Sequence, residues 1–245
     1  MYMFDHEATE QTPALRDYRF IGNVPKNYVK FNGDETWRII GVFDVDDGTG
    51  NYEERVKLIR NDSVGDWQWS NNNANEWTNS SLKKYLNNEY DEDNRLDTMV
   101  DTIKYYLGGL SSYTAGNTYY QTERGTAVSN DRSTFWIGKL GLMYSSDYVL
   151  TYAFGANDKC YSDPVSCKDG EPSSGWLYES DVNQWTLTPY PWDGLNIAYI
   201  RNNGNISFQL AANSYFCARP VLYLKPEVKI KSGDGSIDNP YEFEL

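Results

Sequence analysis

Histidine is almost missing from this chain of 245 residues, and His6 is the only one. A Ser-His-Asp or Cys-His mechanism needs an imidazole beside its nucleophile, so neither is expected. Cysteine is scarce as well, at Cys160, Cys167 and Cys217. The gap between the first two does not match the usual zinc knuckles, and no histidine lies near them. Basic residues are outnumbered 22 to 35, for a formal charge of −13. Nucleic acid calls for a basic footprint, so it is not an expected partner. No run approaches the ~18 apolar residues of a membrane helix, and direct membrane insertion is not expected. The start, "MYMFDHEATEQTPALRDYRF", has neither the basic region nor the apolar core of a signal peptide. The phosphate-cradling "GxxxxGK[ST]" is missing too. Paired carboxylates could serve glycoside hydrolysis, but acid pairs are too common here to nominate two. No enzyme activity, catalytic metal or cofactor is expected.

What the chain has in quantity is aromatic side chains, with 21 Tyr and 8 Trp. Disordered chains are poor in aromatics, so a folded domain follows. Tyr and Trp also suit a binding face, because they give large contact area at low entropic cost. "NYVKF", "TWRIIGVFDV" and "RVKLIRN" read as strands. The acidic loop between the last two lacks the glycine an EF-hand needs where Thr49 stands, so a charged hairpin tip is expected. A helix should begin near Ser80, with caps offered from Thr78 to Ser81. A second is predicted over 94–107, where Leu96, Met99, Val100, Ile103 and Leu107 keep helical spacing and Gly108 and Gly109 follow. Residues 110–134 read as a long loop, "FWIGKLGLMY" as a strand, and "SSDYVLTYAF" as a short helix capped by Ser145 or Ser146. Helices early and strands late predict one α+β domain over 21–245, with residues 1–20 as an arm or linker. In it two early helices pack on a mainly antiparallel, twisted sheet with long irregular loops.

The "KCYSDPVSCKDG" loop predicts a Cys160–Cys167 disulfide, which favours an oxidising, extracellular setting. Cys217, among apolar neighbours, is expected to be a buried free thiol.

"YIRNNGNISF" flanks an Asn-Gly pair with β-formers and predicts a hairpin with a two-residue turn. Polar residues crowd this hairpin, yet the apolar "CARPVLYL" follows. A polar hairpin on a rigid apolar base is what a recognition surface needs. The expected contact face is Tyr190, Trp192, Asp193, Asn196, Tyr199, Arg201, Asn202, Asn203 and Tyr215. The Trp-rich loop at 67–77 is the second candidate.

The ordered series "YVKFNGDETWRIIGVF", "VKLIRND", "WTNSSLKKYLN", "ERGTAVSNDRSTFWIGKLGLMYSSDY", "WLYESDVNQWTLTP" and "ARPVLYLKPEVKIKSGDGSIDNPY" resembles a family of secreted or surface proteins of gut Firmicutes with no assigned function. The resemblance covers roughly residues 18–245. It implies a divergent C-type-lectin-like fold, similar in layout to formylglycine-generating and sulfatase-modifying domains, in which "CARPVLYLK" would be a central strand. It also implies a cell-surface home, anchored through a segment outside this sequence. No cysteine here matches the copper site of the formylglycine-generating enzymes, so fold and not catalysis carries over. "EPS" at 171–173 and "WD" at 192–193 are similar to the sugar-binding triplets of animal C-type lectins. Ser173 and Gly194 depart from those triplets, and calcium-dependent sugar binding is not implied. The variable proteins of diversity-generating retroelements share this fold and vary a comparable hairpin. The functional expectation is a non-enzymatic extracellular recognition or adhesion domain whose partner is a glycan or protein. The alternatives are a self-associating pilus or surface-assembly subunit and a retroelement variable protein.

Overall fold

A computed structural model describes residues 1–91, 95–110, 116–152 and 175–245. Strands dominate. In chain order the first are β1 (Tyr2–His6), β2 (Leu15–Arg19), β3 (Tyr28–Phe31), β4 (Glu35–Asp46), β5 (Tyr52–Arg60) and β6 (Asp66–Trp67). Helix α1 (Ser81–Lys84) follows and runs on into a π turn, Tyr85–Glu89. Next come β7 (Ile103–Tyr106), α2 (Gly116–Glu123), β8 (Phe135–Gly138) and α3 (Ser145–Val149). The last are β9 (Gln184–Pro189), β10 (Asn196–Ile200), β11 (Ile206–Leu210), β12 (Phe216–Cys217), β13 (Val221–Tyr223), β14 (Lys229–Ser232) and β15 (Glu242–Glu244).

Two sheets carry the architecture. One has the order β1-β2-β4-β5-β13, with β3 also on β4, and the other the order β11-β10-β9-β12-β6. Among the described residues the pairings within these two sheets are antiparallel except that of β12 with β9, and Val29 of β3 makes a parallel bridge to Tyr241. The arrangement is α+β, and one apolar core runs continuously from Phe4 and Trp37 to Trp185 and Leu222. Helix α3 stands between the sheets. It touches β9 and β10, while its Asp147 bonds Arg19 of β2 and Lys57 of β5.

Four expectations are corrected. Residues 1–20 are not an arm, because β1 and β2 extend the six-stranded sheet. The inward positions of β2 are Asp17 and Arg19, so charge sits where apolar alternation would have signalled a strand. The helix predicted over 94–107 is a 3-10 turn at Arg95–Thr98 followed by β7. Ile103, Tyr105 and Leu107 also alternate with period two, and pairing with β8 selects that reading. The 110–134 stretch contains α2. Strand β13 ends its sheet rather than lying at its centre. It is buried all the same, because backbone bridges from Gly141 to Val221 and from Val100 to Leu224 cover its outer edge.

Helix α1 starts where expected, with Ser80 Oγ accepting the Lys83 N–H at 3.1 Å. Helix α3 is capped differently. Asp147 accepts the Tyr144 N–H at 2.8 Å, and the hydroxyls of Ser145 and Ser146 have no partner among the described residues. The acidic loop is a hairpin tip, in which Asp46 accepts the N–H groups of Gly48 and Gly50 at 2.8 and 2.9 Å. Among the described residues no helix is long and apolar enough to cross a membrane.

Candidate functional site

The five-stranded sheet holds the hairpin, and its register decides which residues meet. Tyr199 of β10 lies opposite Trp185 on β9 and Ser207 on β11. Its ring packs on Phe216, with centroids 4.7 Å apart, and Phe216 packs on Trp185 at 4.6 Å. Phe216 pairs in register with Trp67 of β6, and Trp67 stacks on Tyr85 at 3.9 Å. Trp185 is buried beneath and donates its Nε1–H to the Trp67 carbonyl at 2.7 Å. Tyr199, Phe216, Trp67 and Tyr85 are each half-buried. They make an aromatic strip across the sheet, open on one side.

The hairpin tip stands at one end of the strip. It closes through three residues rather than two: Gly204 N–H bonds the Arg201 carbonyl and Arg201 N–H bonds the Asn205 carbonyl, each at 2.8 Å. Only Gly204 has positive φ, at 83°, so the loop is a β-turn followed by a left-handed glycine. Tyr148 donates to the Gly204 carbonyl at 2.9 Å and Tyr178 to that of Asn202 at 3.0 Å. Asn183 accepts the Asn202 N–H at 3.0 Å. The exposed side chains of Arg201, Asn202 and Asn203 therefore project from a fixed backbone.

The other predicted residues occupy other places. Trp192 (70% exposed), Asp193 and Asn196 lie at the start of β10, a strand length of about 16 Å from the tip. There Asp193 accepts the N–H groups of Leu195 and Asn196 at 2.9 and 3.1 Å. Partial burial raises the Asp193 pKa, but these backbone bonds, the Asn196 side chain and the Arg132 charge together outweigh it and hold the carboxyl below its ordinary value. The loop is anchored from beneath. Gly194's carbonyl accepts from Asn75 N–H at 3.0 Å and from Arg132 at 2.8 Å, and Asn75 donates to the carbonyls of Tyr190 and Asn196. Tyr190 packs at a tilt against Phe208, which points to the face opposite Tyr199. Tyr215 is exposed in the turn before β12. Of the nine, then, only Tyr199 belongs to the strip, and three more sit at its tip.

Phe216, Trp185 and Tyr85 were not predicted. The one available signal was the Trp-rich loop, which contributes Trp67 here, whereas Trp69 and Trp77 are core. Cys217 is half-buried and free, with Sγ 3.3 Å from Asp66 Oδ1. Burial and the Asp66 carboxylate raise its pKa. Cys160, Cys167 and "EPS" at 171–173 lie outside the described residues. Among the described residues no group of three or more His, Cys, Asp or Glu is placed to hold a metal. No family model, curated protein or solved structure matches this chain.

Proposed function

We propose that this is a non-enzymatic recognition domain, displayed outside a bacterial cell, that binds a glycan or protein on the strip formed by Tyr199, Phe216, Trp67 and Tyr85. The observation that carries the reading is the joining of a half-buried aromatic strip to a braced polar tip. Aromatic faces stack on sugar rings or apolar side chains, and Arg201, Asn202 and Asn203 offer directional hydrogen bonds beside them. A pinned backbone lowers the ordering entropy of such contacts. The divergent C-type-lectin-like assignment and the surface location, with the Cys160–Cys167 disulfide, belong to this reading as proposals. Screening the protein on glycan and cell-surface-protein arrays tests it. Any ligand found should be lost on Tyr199→Ala together with Arg201→Ala, and a ligand retained by that folded variant rules the strip out.

The second reading, a surface-assembly subunit, draws on β1 and β11, which end their sheets and present strand edges to another chain. Light scattering over a concentration series separates the two: reversible self-association lost on Met3→Pro in β1 would favour the assembly.

A further inference from the structure

A second polar centre lies on the opposite side of α3, away from the aromatic strip. Asp17 accepts from Arg19 Nε and Nη2 at 3.0 and 2.7 Å and lies 2.8 Å from His6 Nε2. Asp147 accepts from Arg19 Nη1 at 3.1 Å and from Lys57 Nζ. All five side chains are buried. Two cations thus meet two carboxylates, and burial keeps His6 below its ordinary pKa, on the neutral side.

Arg124, just after α2, is the cation left over. It is 5% exposed, with its guanidinium 3.5 Å from the Tyr120 ring centroid and 5.1 Å from that of Tyr144. Its side-chain contacts to polar groups are made through Nη1: a long bond of 3.4 Å to the Tyr120 carbonyl, and an approach of 3.9 Å to Glu123 Oε2. Glu123 does not close on it. Its Oε1 is held by Ser146 N–H at 3.0 Å and Thr188 at 2.8 Å, while its Oε2 is buried with no hydrogen-bond partner among the described residues. Burial raises the Glu123 pKa, while Arg124 and the bonds from Ser146 and Thr188 act the other way. A buried charge is costly unless closely paired, and the 3.9 Å approach to Glu123 pairs Arg124 only loosely, which leaves it able to take a further counter-ion.

Beside it is a narrow slot of about 20 Å³, lined also by Arg16, Lys104, Tyr120, Tyr144 and Tyr223. That is room for about one water or a monatomic ion, too little for phosphate. The hydroxyls of Tyr120 and Tyr223 donate to no described protein group. Two carboxylates border the slot as well, but Asp17 is taken by Arg19 and Asp44 accepts the Arg16 N–H at 3.4 Å. Lys104 is drawn to Asp46 at 3.2 Å. We infer that this slot binds a small monovalent anion of about chloride size, held by the unused Nε and Nη2 donors of Arg124 and by the Tyr120 and Tyr223 hydroxyls.

The test uses the full chain, exchanged into sodium gluconate, whose anion is too large to enter. Chloride is titrated in at constant ionic strength while the melting temperature and the chloride-35 NMR line width are followed. The expected result is a saturable rise in melting temperature with matching line broadening. Both should be lost in Arg124→Gln, and Tyr223→Phe should raise the half-saturating concentration several-fold. Should Arg124→Gln fail to fold, Tyr120→Phe with Tyr223→Phe decides, since each removes only a hydroxyl. Overturning results are a response that does not saturate, or one unchanged in a folded Arg124→Gln or in the double Phe variant.

Discussion

The two sheets use the same residue types in opposite ways. In the six-stranded sheet, Arg19, Lys57 and Asp17 point inward and close on one another and on Asp147. In the five-stranded sheet, charge is pushed to the rim at Arg201 and Asp193, and the middle is aromatic and half open. A buried ion pair contributes little net stability over an apolar equivalent, yet breaking it is expensive, because the surviving charge stays buried. An open aromatic strip is inexpensive to alter and costly to leave exposed without a role. Charge here marks a locked interior, and aromaticity marks the accessible face. The usual assumption about where each belongs fails in both sheets.

The largest expected effect lies in the locked sheet. Asp147→Asn leaves Lys57 and Arg19 without their shared carboxylate and should destabilise by about 3–5 kcal/mol in urea unfolding. Loss of less than about 1 kcal/mol would mean that the cluster is hydrated and the contrast between the sheets is wrong. Leu222→Ala, in the middle of β13, should cost about 2–5 kcal/mol by cavity formation.

Tyr199→Ala should cost about 1–3 kcal/mol, because its ring packs on Phe216 and Trp185 while one side faces water. An undiminished melting temperature would show that the strip is looser than its packing implies.

The acid limb of stability sharpens the contrast next. Burial lowers His6 from its ordinary 6.5, so the unfolded chain takes up this proton first. Stability should therefore fall as pH drops below 6.5 and level off once the folded-state pKa is passed. Burial raises Asp17, but Arg19 and His6 bring it down to about 2, so a further loss should run from 3.8 towards 2. Urea midpoints across pH should show both losses, and His6→Asn should remove the first and shrink the second, because His6 is one of the two groups that lower Asp17.

The smallest effects are expected at the hairpin tip and turn. Arg201→Ala, Asn203→Ala and Tyr215→Ala should each stay within about 0.5 kcal/mol, since none is buried. If they destabilise as much as Tyr199→Ala, the tip is structural and recognition must be sought elsewhere.

Much of the fold could be read directly from local pattern. β3, β4, β5 and the hairpin strands announce themselves by β-branched and aromatic runs, and Ser80 announces the start of α1. Residues 94–107 could not be read this way, because Leu96 to Leu107 satisfies both a helical spacing and, from Ile103, an alternating one. The site was legible in part. Asn-Gly located the tip, but a turn sequence does not say whether Asn203 keeps negative φ. Phe216 and Trp67 are far apart in the chain, and only their pairing on β12 and β6 makes them neighbours.

By itself, the sequence determined the strand-rich class, the start of α1, the exposed hairpin and the acidic tip at 46–50, because each depends on residues within a few positions of one another. Tertiary structure alone decided that residues 2–6 and 15–19 are strands, that 103–106 pairs with 135–138, and that Trp67, Tyr85, Tyr199 and Phe216 share a face. It also decided which charges are buried. Asp17, Lys57 and Asp147 read as surface residues until the sheet and α3 bring them together, since a charge is stable inside only where a partner from elsewhere in the chain meets it.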